Sequence, residues 1–253
     1  MANTNNSNLG IIDWGIGGVS IYKLIKSRLG DVPVIYFSDT GATPYGKMSR
    51  FELVGRLNAV VDFLKTQGVS HVVIGCNAAS TAIEFLNSEN VKIEGVIESA
   101  INLVEKIDPK KLALIGGKRT VLSGVYRRKF AERGIKVNQR IAQPLSGLIE
   151  SGDISSDKLR EEVKKIVSPI KNCSHLLLAC THYPAIKSVL KEFVSKDTIL
   201  VDPAVELVDK IAEWNLPKGG KDIFFTTGNP ESMQKAARNA FNVEINEVNQ
   251  ISI

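Results

Sequence analysis

The sequence predicts an α/β protein made of two similar halves, each carrying a parallel sheet. Three observations lead there. Short apolar runs alternate with amphipathic stretches along nearly the whole chain, the pattern of strands wound with helices on both faces. Glycine-bearing turns follow two of those runs, Trp14-Gly15-Ile16-Gly17-Gly18 and Gly116-Gly117-Lys118-Arg119-Thr120. Most tellingly, Ser70-His71-Val72-Val73-Ile74-Gly75-Cys76 is echoed by Ser174-His175-Leu176-Leu177-Leu178-Ala179-Cys180. Each copy is a Ser-His pair, four small or aliphatic residues, then a cysteine at the carboxyl end of a buried strand. In open α/β sheets that edge is where ligands bind.

The elements follow in order. Residues 9–13 read as a strand ending in Asp13, and the glycine turn opens a helix over Val19–Leu29. That spacing is not GxGxxG, so no dinucleotide site is expected. Val32–Ser38 is a strand followed by Asp39 and a loop of turn formers, residues 40–47, long enough to fold over a pocket. Phe51–Gln67 has helical spacing, with Leu53, Leu57, Val60, Val61 and Leu64 on one stripe and Gly68 as its stop. After the first Ser-His strand, residues 80–87 are expected to form a short helix opened by Ser80. Val91–Val96 is a strand and Glu98–Ile107 a helix. The second series runs Leu112–Ile115 strand, 122–133 helix, Ile135–Ile141 strand and a short helix or loop bearing Glu150. An amphipathic helix over Ser156–Pro169, capped by Ser155 or Ser156, precedes the second Ser-His strand. Pro184–Phe193 helix, Thr198–Val201 strand, Ala204–Trp214 helix, Ile223–Thr226 strand and Pro230–Ala240 helix complete the chain. The halves are expected to divide as 1–98 plus 205–253 and 99–204.

Composition narrows the function classes. The chain has 253 residues, 43% of them hydrophobic and 23% charged, ordinary for a globular protein. Its net charge of +5 comes from scattered basic residues. A nucleic-acid surface would need them clustered, so none is expected; a mild positive field suits a small anionic substrate. No run approaches the ~20 apolar residues of a membrane span. The polar opening MANTNNSN lacks the regions of a signal peptide, which predicts a cytoplasmic protein with a short disordered start. Three cysteines without CxxC spacing argue against a disulfide framework and a zinc cluster, so no metal is expected. Cys173 is read as core filler, and His71 and His175 as structural residues at strand starts.

Two cysteines in matching contexts suit a pair of thiols facing one substrate. One thiolate removes a proton from a carbon while the opposed thiol delivers one to the other face, inverting the centre without a cofactor. Asp13, Asp39, Glu150 and His182 lie where they could hold or relay protons, and Tyr45 could donate to a substrate.

These motifs resemble the aspartate/glutamate racemase superfamily, and glutamate racemase in particular. The matching residues are Ile12-Asp13-x-Gly15-x-Gly17-Gly18, Asp39-Thr40 with Pro44-Tyr45-Gly46, Cys76-Asn77-x-Ala79-Ser80, Arg119-Thr120-Val121, Leu148-Ile149-Glu150-x-Gly152 and Cys180-Thr181-His182-Tyr183-Pro184. They fall in family order over nearly the whole chain. The resemblance implies two pseudo-symmetric flavodoxin-like domains with the active site in the cleft between them. It implies Cys76 and Cys180 as acid and base, assisted by Asp13, Glu150 and His182, with no cofactor. The substrate, a small acidic amino acid, would meet Trp14, Asp39, Pro44, Tyr45, Gly46, Asn77, Ala78, Thr120 and Thr181. It also implies D-glutamate supply for the cell wall and a homodimer. Three positions depart from the family pattern: Trp14 replaces a usual serine, and Ala78 and Gly117 replace threonines. Each loses a hydroxyl, and Trp14 adds a ring, so aspartate or another amino acid is the alternative substrate. Hydantoin racemases and one-thiol decarboxylases share the superfamily, but two cysteines favour inversion. A non-catalytic binder on this scaffold would not need Cys76, Cys180, Asp13, Glu150 and His182 together.

Overall fold

The alternating pattern resolves into two parallel sheets that share a strand order. The computed structural model describes residues 8–253. The disordered start expected for MANTNNSN lies outside the described residues except for Asn8, which opens β1. The first half contains β1 (Asn8–Asp13), α1 (Val19–Leu29), β2 (Val34–Ser38), α2 (Arg50–Thr66), β3 (Val69–Ile74), α3 (Asn77–Ser80), β4 (Lys92–Gly95) and α4 (Val96–Ile107). The second contains β5 (Leu112–Gly116), α5 (Lys118–Leu122), α6 (Val125–Glu132), β6 (Val137–Ile141), α7 (Gln143–Glu150), α8 (Asp157–Val167), β7 (His175–Ala179), α9 (Lys187–Phe193) and β8 (Ile199–Val201). The chain then returns through α10 (Ala204–Ala212), β9 (Ile223–Thr226), α11 (Pro230–Phe241) and β10 (Asn249–Gln250).

Six strands form one sheet in the order β10-β9-β2-β1-β3-β4, and four form the other, β6-β5-β7-β8. Every pairing is parallel. Without β10 and β9 the two orders are the same. β3 and β7 therefore occupy equivalent slots, each beside the first strand of its half. That places Cys76 and Cys180 at corresponding points just beyond the carboxyl ends of their strands. The two crossings between sheets run through α4 and α10, and the expected boundaries at 98 and 205 fall inside these helices. One apolar core runs from Leu9, Ile11 and Tyr36 through Ile21, Ile25, Leu207 and Ile211 to Ile115, Leu176 and Leu178. The halves thus meet through packed helices, not through a bare linker.

Local signals explain most boundaries. α2 buries the predicted stripe of Leu53, Leu57, Val60, Val61 and Leu64. Ser49 caps it, its hydroxyl accepting from Glu52 N at 3.2 Å while the Glu52 carboxylate accepts from Ser49 N at 2.7 Å, a reciprocal capping box. Ser156 caps α8. Four expectations change. Helix α3 starts directly after Cys76, and Ser80 ends it; the Ser80 hydroxyl instead donates to Ile74 O and accepts from Val96 N. Residues 83–85 form only a 3-10 turn. The helix expected over 122–133 is divided at Gly124, whose φ of 70° lies outside helical space. The stretch after Cys180 begins as a 3-10 turn, Tyr183–Ile186, before α9. Finally, β10 is a two-residue exposed strand whose Asn-Gln sequence carries no apolar signal. Among the described residues no helix is long and apolar enough to cross a membrane.

Leu57 is fully buried in the layer between α2 and the larger sheet. Leu57→Ala is expected to lower unfolding free energy by about 2–5 kcal/mol. Urea titration checks this, and a loss below ~1 kcal/mol would mean that α2 is not packed as described.

Candidate active site

The site forms where the loop after β1 meets residues following β7. Asp13 ends β1 and is buried. Its carboxylate accepts the Gly18 and Gly15 backbone N–H groups and the Thr181 hydroxyl, the last at 3.3 Å. From the other half, Glu150 reaches in from the end of α7. Its Oε2 accepts the Ile16 N–H at 3.0 Å and lies 2.6 Å from His182 Nε2. The other ring nitrogen, His182 Nδ1, is 3.6 Å from Cys180 Sγ. Cys180, His182, Glu150 and the 14–18 loop are thus one connected chain of contacts.

This approach dictates glycine in the loop. A Cβ on Gly17 would lie 2.5 Å from Thr181 Oγ1, 2.6 Å from His182 Nδ1 and 2.7 Å from Asp13 Oδ2. A Cβ on Gly15 would overlap the Glu150 carboxylate. Tyr36, buried in β2, donates to Gly15 O at 2.8 Å and holds the loop from beneath.

The two thiols sit in different electrostatic settings. Cys76 is pushed well above the usual thiol range. Burial is the main cause and the Asp13 charge adds to it, against the N–H groups of Ala79 and Ala78. Cys76 therefore rests as the thiol at neutral pH. Asp13 is also raised, by burial foremost, with His182 opposing and Glu150 reinforcing. For His182, burial would lower the proton affinity, but hydrogen bonds to Cys180 and Glu150 outweigh it and raise the imidazole well above its ordinary value. Tyr183, whose hydroxyl donates to Ala142 O at 2.9 Å, is raised by burial and by Cys180. The environment of Cys76 suits a proton donor, and the His182–Glu150 pair suits proton traffic at Cys180.

The remaining sequence-predicted residues separate into groups. Asn77, first in α3, is buried and accepts the Tyr126 hydroxyl at 2.7 Å. Thr120, within α5, and Thr181, two residues after β7, are both buried. Gly46 and Gly117 face Gln143, with added Cβ atoms 3.8 and 3.1 Å from its Oε1. Trp14 donates its indole N–H to Ala42 O at 3.0 Å, which spends its only donor on the 40–47 loop. Trp14, Ala78 and Cys76 pack against one apolar cluster. Pro44 is half-buried in that loop, its carbonyl accepting from Lys47 N at 2.7 Å. Asp39 is fully committed: Arg56 meets it with Nε at 2.8 Å and Nη2 at 2.6 Å, and Tyr45 and Thr227 hydroxyls donate to it at 2.9 and 2.8 Å. Its carboxylate secures the loop through Tyr45 and is not free to relay protons. His71 and His175 bond Ser70 and Ser174 at the far ends of their strands. Cys173 is buried core.

Sequence reading missed Tyr36, Tyr126, Arg56 and Arg119. Arg119 donates to Thr81 Oγ1 at 3.1 Å and Met48 O at 2.6 Å, fastening α5 to the first half. Arg119 stood within a quoted motif. Tyr36, Tyr126 and Arg56 sit in ordinary strand or helix patterns and carry no local signal. Among the described residues no group of three or more His, Cys, Asp or Glu side chains is arranged to hold a metal.

The raised His182 value gives a signed prediction. Its ordinary value is 6.5 and the folded value is higher. Its contribution to stability is therefore full below about pH 6.5 and is lost as pH rises through the folded value. The difference in urea midpoint between wild type and Glu150→Gln is expected to be widest near pH 6 and to shrink under alkaline conditions. A difference that grew with pH would contradict the His182–Glu150 pairing.

Comparison with known proteins places this geometry. The Asp/Glu/hydantoin racemase family model matches residues 9–211. A glutamate racemase from Aquifex pyrophilus is 34% identical over 228 residues, covering 88% of this chain and 89% of that relative. The structure resembles a glutamate racemase isoform from Bacillus anthracis, with TM-score 0.88, 25% identity and 98% of both chains covered. It also resembles the Francisella tularensis glutamate racemase solved in complex with D-glutamate, with TM-score 0.87, 26% identity and 98% of both chains covered. With two cysteines at equivalent strand ends and a family match across most of its length, the chain belongs to the Asp/Glu/hydantoin racemase family.

Proposed function

We propose that the chain is a cofactor-independent glutamate racemase, inverting the α-carbon with Cys76 and Cys180 as its acid and base. The observation that carries this reading is the equivalence of the two cysteines. They follow β3 and β7, the same slot of two sheets with one strand order, and each has its own proton partner. The relatives named as glutamate racemases support the choice of substrate.

In the proposed reaction, a thiolate at Cys180 takes the α-proton from one face. The electron pair left on carbon is drawn into the α-carboxylate. Cys76, which rests as the thiol, delivers a proton to the opposite face, and the C–H bond re-forms with inverted configuration. The reverse direction exchanges the roles. Asp13 serves Cys76, and His182 backed by Glu150 serves Cys180. Asn77, Thr120, Thr181, Tyr45 and Gly46 hold the substrate. Trp14, Pro44 and Ala78 wall the pocket, and Asp39 acts indirectly by fixing Tyr45.

Trp14 favours a second reading, aspartate as substrate. Trp14, Ala78 and Cys76 border the same apolar cluster, and on this reading the added ring leaves less room for a longer side chain. One methylene in a pocket is worth roughly 10–200-fold in discrimination. In the cell we assign the enzyme to the cytoplasm, supplying D-glutamate for peptidoglycan as a homodimer.

Proton NMR in deuterated water tests the chemistry. Loss of the α-proton signal of L- and D-glutamate is expected with wild type. Cys76→Ala and Cys180→Ala are each expected to reduce full racemisation by about 10²–10⁴-fold. Racemisation at or near the wild-type rate after either substitution would exclude the two-thiol scheme. Trp14→Ser is expected to raise the glutamate-to-aspartate ratio of kcat/KM by roughly tenfold; an unchanged ratio would remove Trp14 from the specificity argument.

A further inference from the structure

Asn77 is 3% exposed and stands immediately after Cys76. Its side-chain oxygen accepts the Tyr126 hydroxyl at 2.7 Å. The other end of the amide, Nδ2, is buried and meets no acceptor among the described residues. Tyr126 belongs to α6 of the second half and is fully buried, stacked on Phe130 with ring centroids 5.8 Å apart. A tyrosine of one half thus grips an amide of the other, right beside one of the two thiols.

An amide has two orientations of nearly equal shape that exchange donor for acceptor. The tyrosine chooses between them. Among the described residues Asn77 Oδ1 is the one acceptor the Tyr126 hydroxyl meets. Burial, with charge at Glu98 and Cys180, raises Tyr126 above the ordinary phenol range, so the protonated hydroxyl has this oxygen as its place to donate. The oxygen of Asn77 is then spent, and the opposite end must be the N–H donor. A buried donor without an acceptor is unfavourable in the free protein. An incoming anion relieves that cost, because a hydrogen bond to a carboxylate is stronger than one between neutral groups.

We propose that Tyr126 is a positioning residue for the racemisation: its hydroxyl locks the Asn77 amide with Nδ2 as the donor for a substrate carboxylate beside Cys76. This inference rests on the racemase reading above. It assigns a residue from the second half to orient a binding group of the first, so the donor is correctly presented only when both halves are in contact.

The test is Tyr126→Phe, which keeps the ring and removes the hydroxyl. KM for glutamate is expected to rise about 3- to 10-fold, with kcat changed by less than about threefold. In an Asn77→Ala background the same substitution is expected to leave KM within about 1.5-fold, because the group it orients is gone. Asn77→Asp provides an independent variant: as the carboxylate it still accepts from Tyr126 but offers no donor and repels an anionic substrate, and should raise KM at least about tenfold. The side-chain NH₂ pair of Asn77, assigned by its disappearance in Asn77→Ala, should be one sharp pair in wild type and should broaden or double in Tyr126→Phe. An unchanged KM in Tyr126→Phe, an equal effect without Asn77, or an unaltered NH₂ pair would overturn the proposal. Wild type inactive on every amino acid would instead sink the racemase reading, and the NH₂ signal would still decide whether Tyr126 orients Asn77.

Discussion

One oxygen of Glu150 accepts the Ile16 amide at 3.0 Å and lies 2.6 Å from the His182 imidazole. Those two contacts tie the loop after β1 to the residues after β7. The geometry around them follows from this joint. Gly15 must lack a side chain because the carboxylate occupies that space, and Gly17 because Thr181 and His182 do. The loop's N–H groups then turn onto Asp13. Removing the carboxylate would free the loop, unsettle the imidazole and release the constraint on Gly15.

The backbone is pseudo-symmetric, but the chemistry is not. Cys76 and Cys180 follow equivalent strands, yet one faces a buried carboxyl and the other a histidine–carboxylate pair. An inversion reaction needs opposite starting states at the two thiols. Burial and Asp13 keep the proton on Cys76, while the partner site carries a raised imidazole. Duplication supplies equivalent positions for the two cysteines, and divergence of the neighbours supplies different partners for them. The contacts of Arg119 with Thr81 and Met48, and of Tyr126 with Asn77, hold the two half-sites together.

The sequence made the fold class and the pairing of the cysteines legible because both rest on local pattern. Strand runs, the stripe of α2 and the repeated Ser-His-x4-Cys segments are visible without tertiary information. The short elements were not. Asn77-Ala78-Ala79-Ser80 becomes helix because the chain turns directly after Cys76, and Ser80, which looked like a cap, is held by Ile74 and Val96. β10 forms only because β9 offers an edge. At the site, Asp13, Glu150 and His182 were found through motif, and the structure brings them together. Asp39 looked like a proton carrier because nothing in its neighbourhood predicts Arg56, seventeen residues away on α2. Tyr126 and Tyr36 were invisible for the same reason: their partners lie 49 and 21 residues distant.

The central claim is that two thiols serve opposite faces of one carbon and exchange their protons with solvent. The direct measurement is circular dichroism of each pure glutamate enantiomer racemising in deuterated water. Product then carries a solvent deuteron and returns more slowly than protiated substrate reacts. The account predicts that the signal passes through zero and overshoots before settling, from either enantiomer. A smooth approach to zero from both sides, with the original proton retained in the product, would show a single group moving one proton across the carbon and would contradict it.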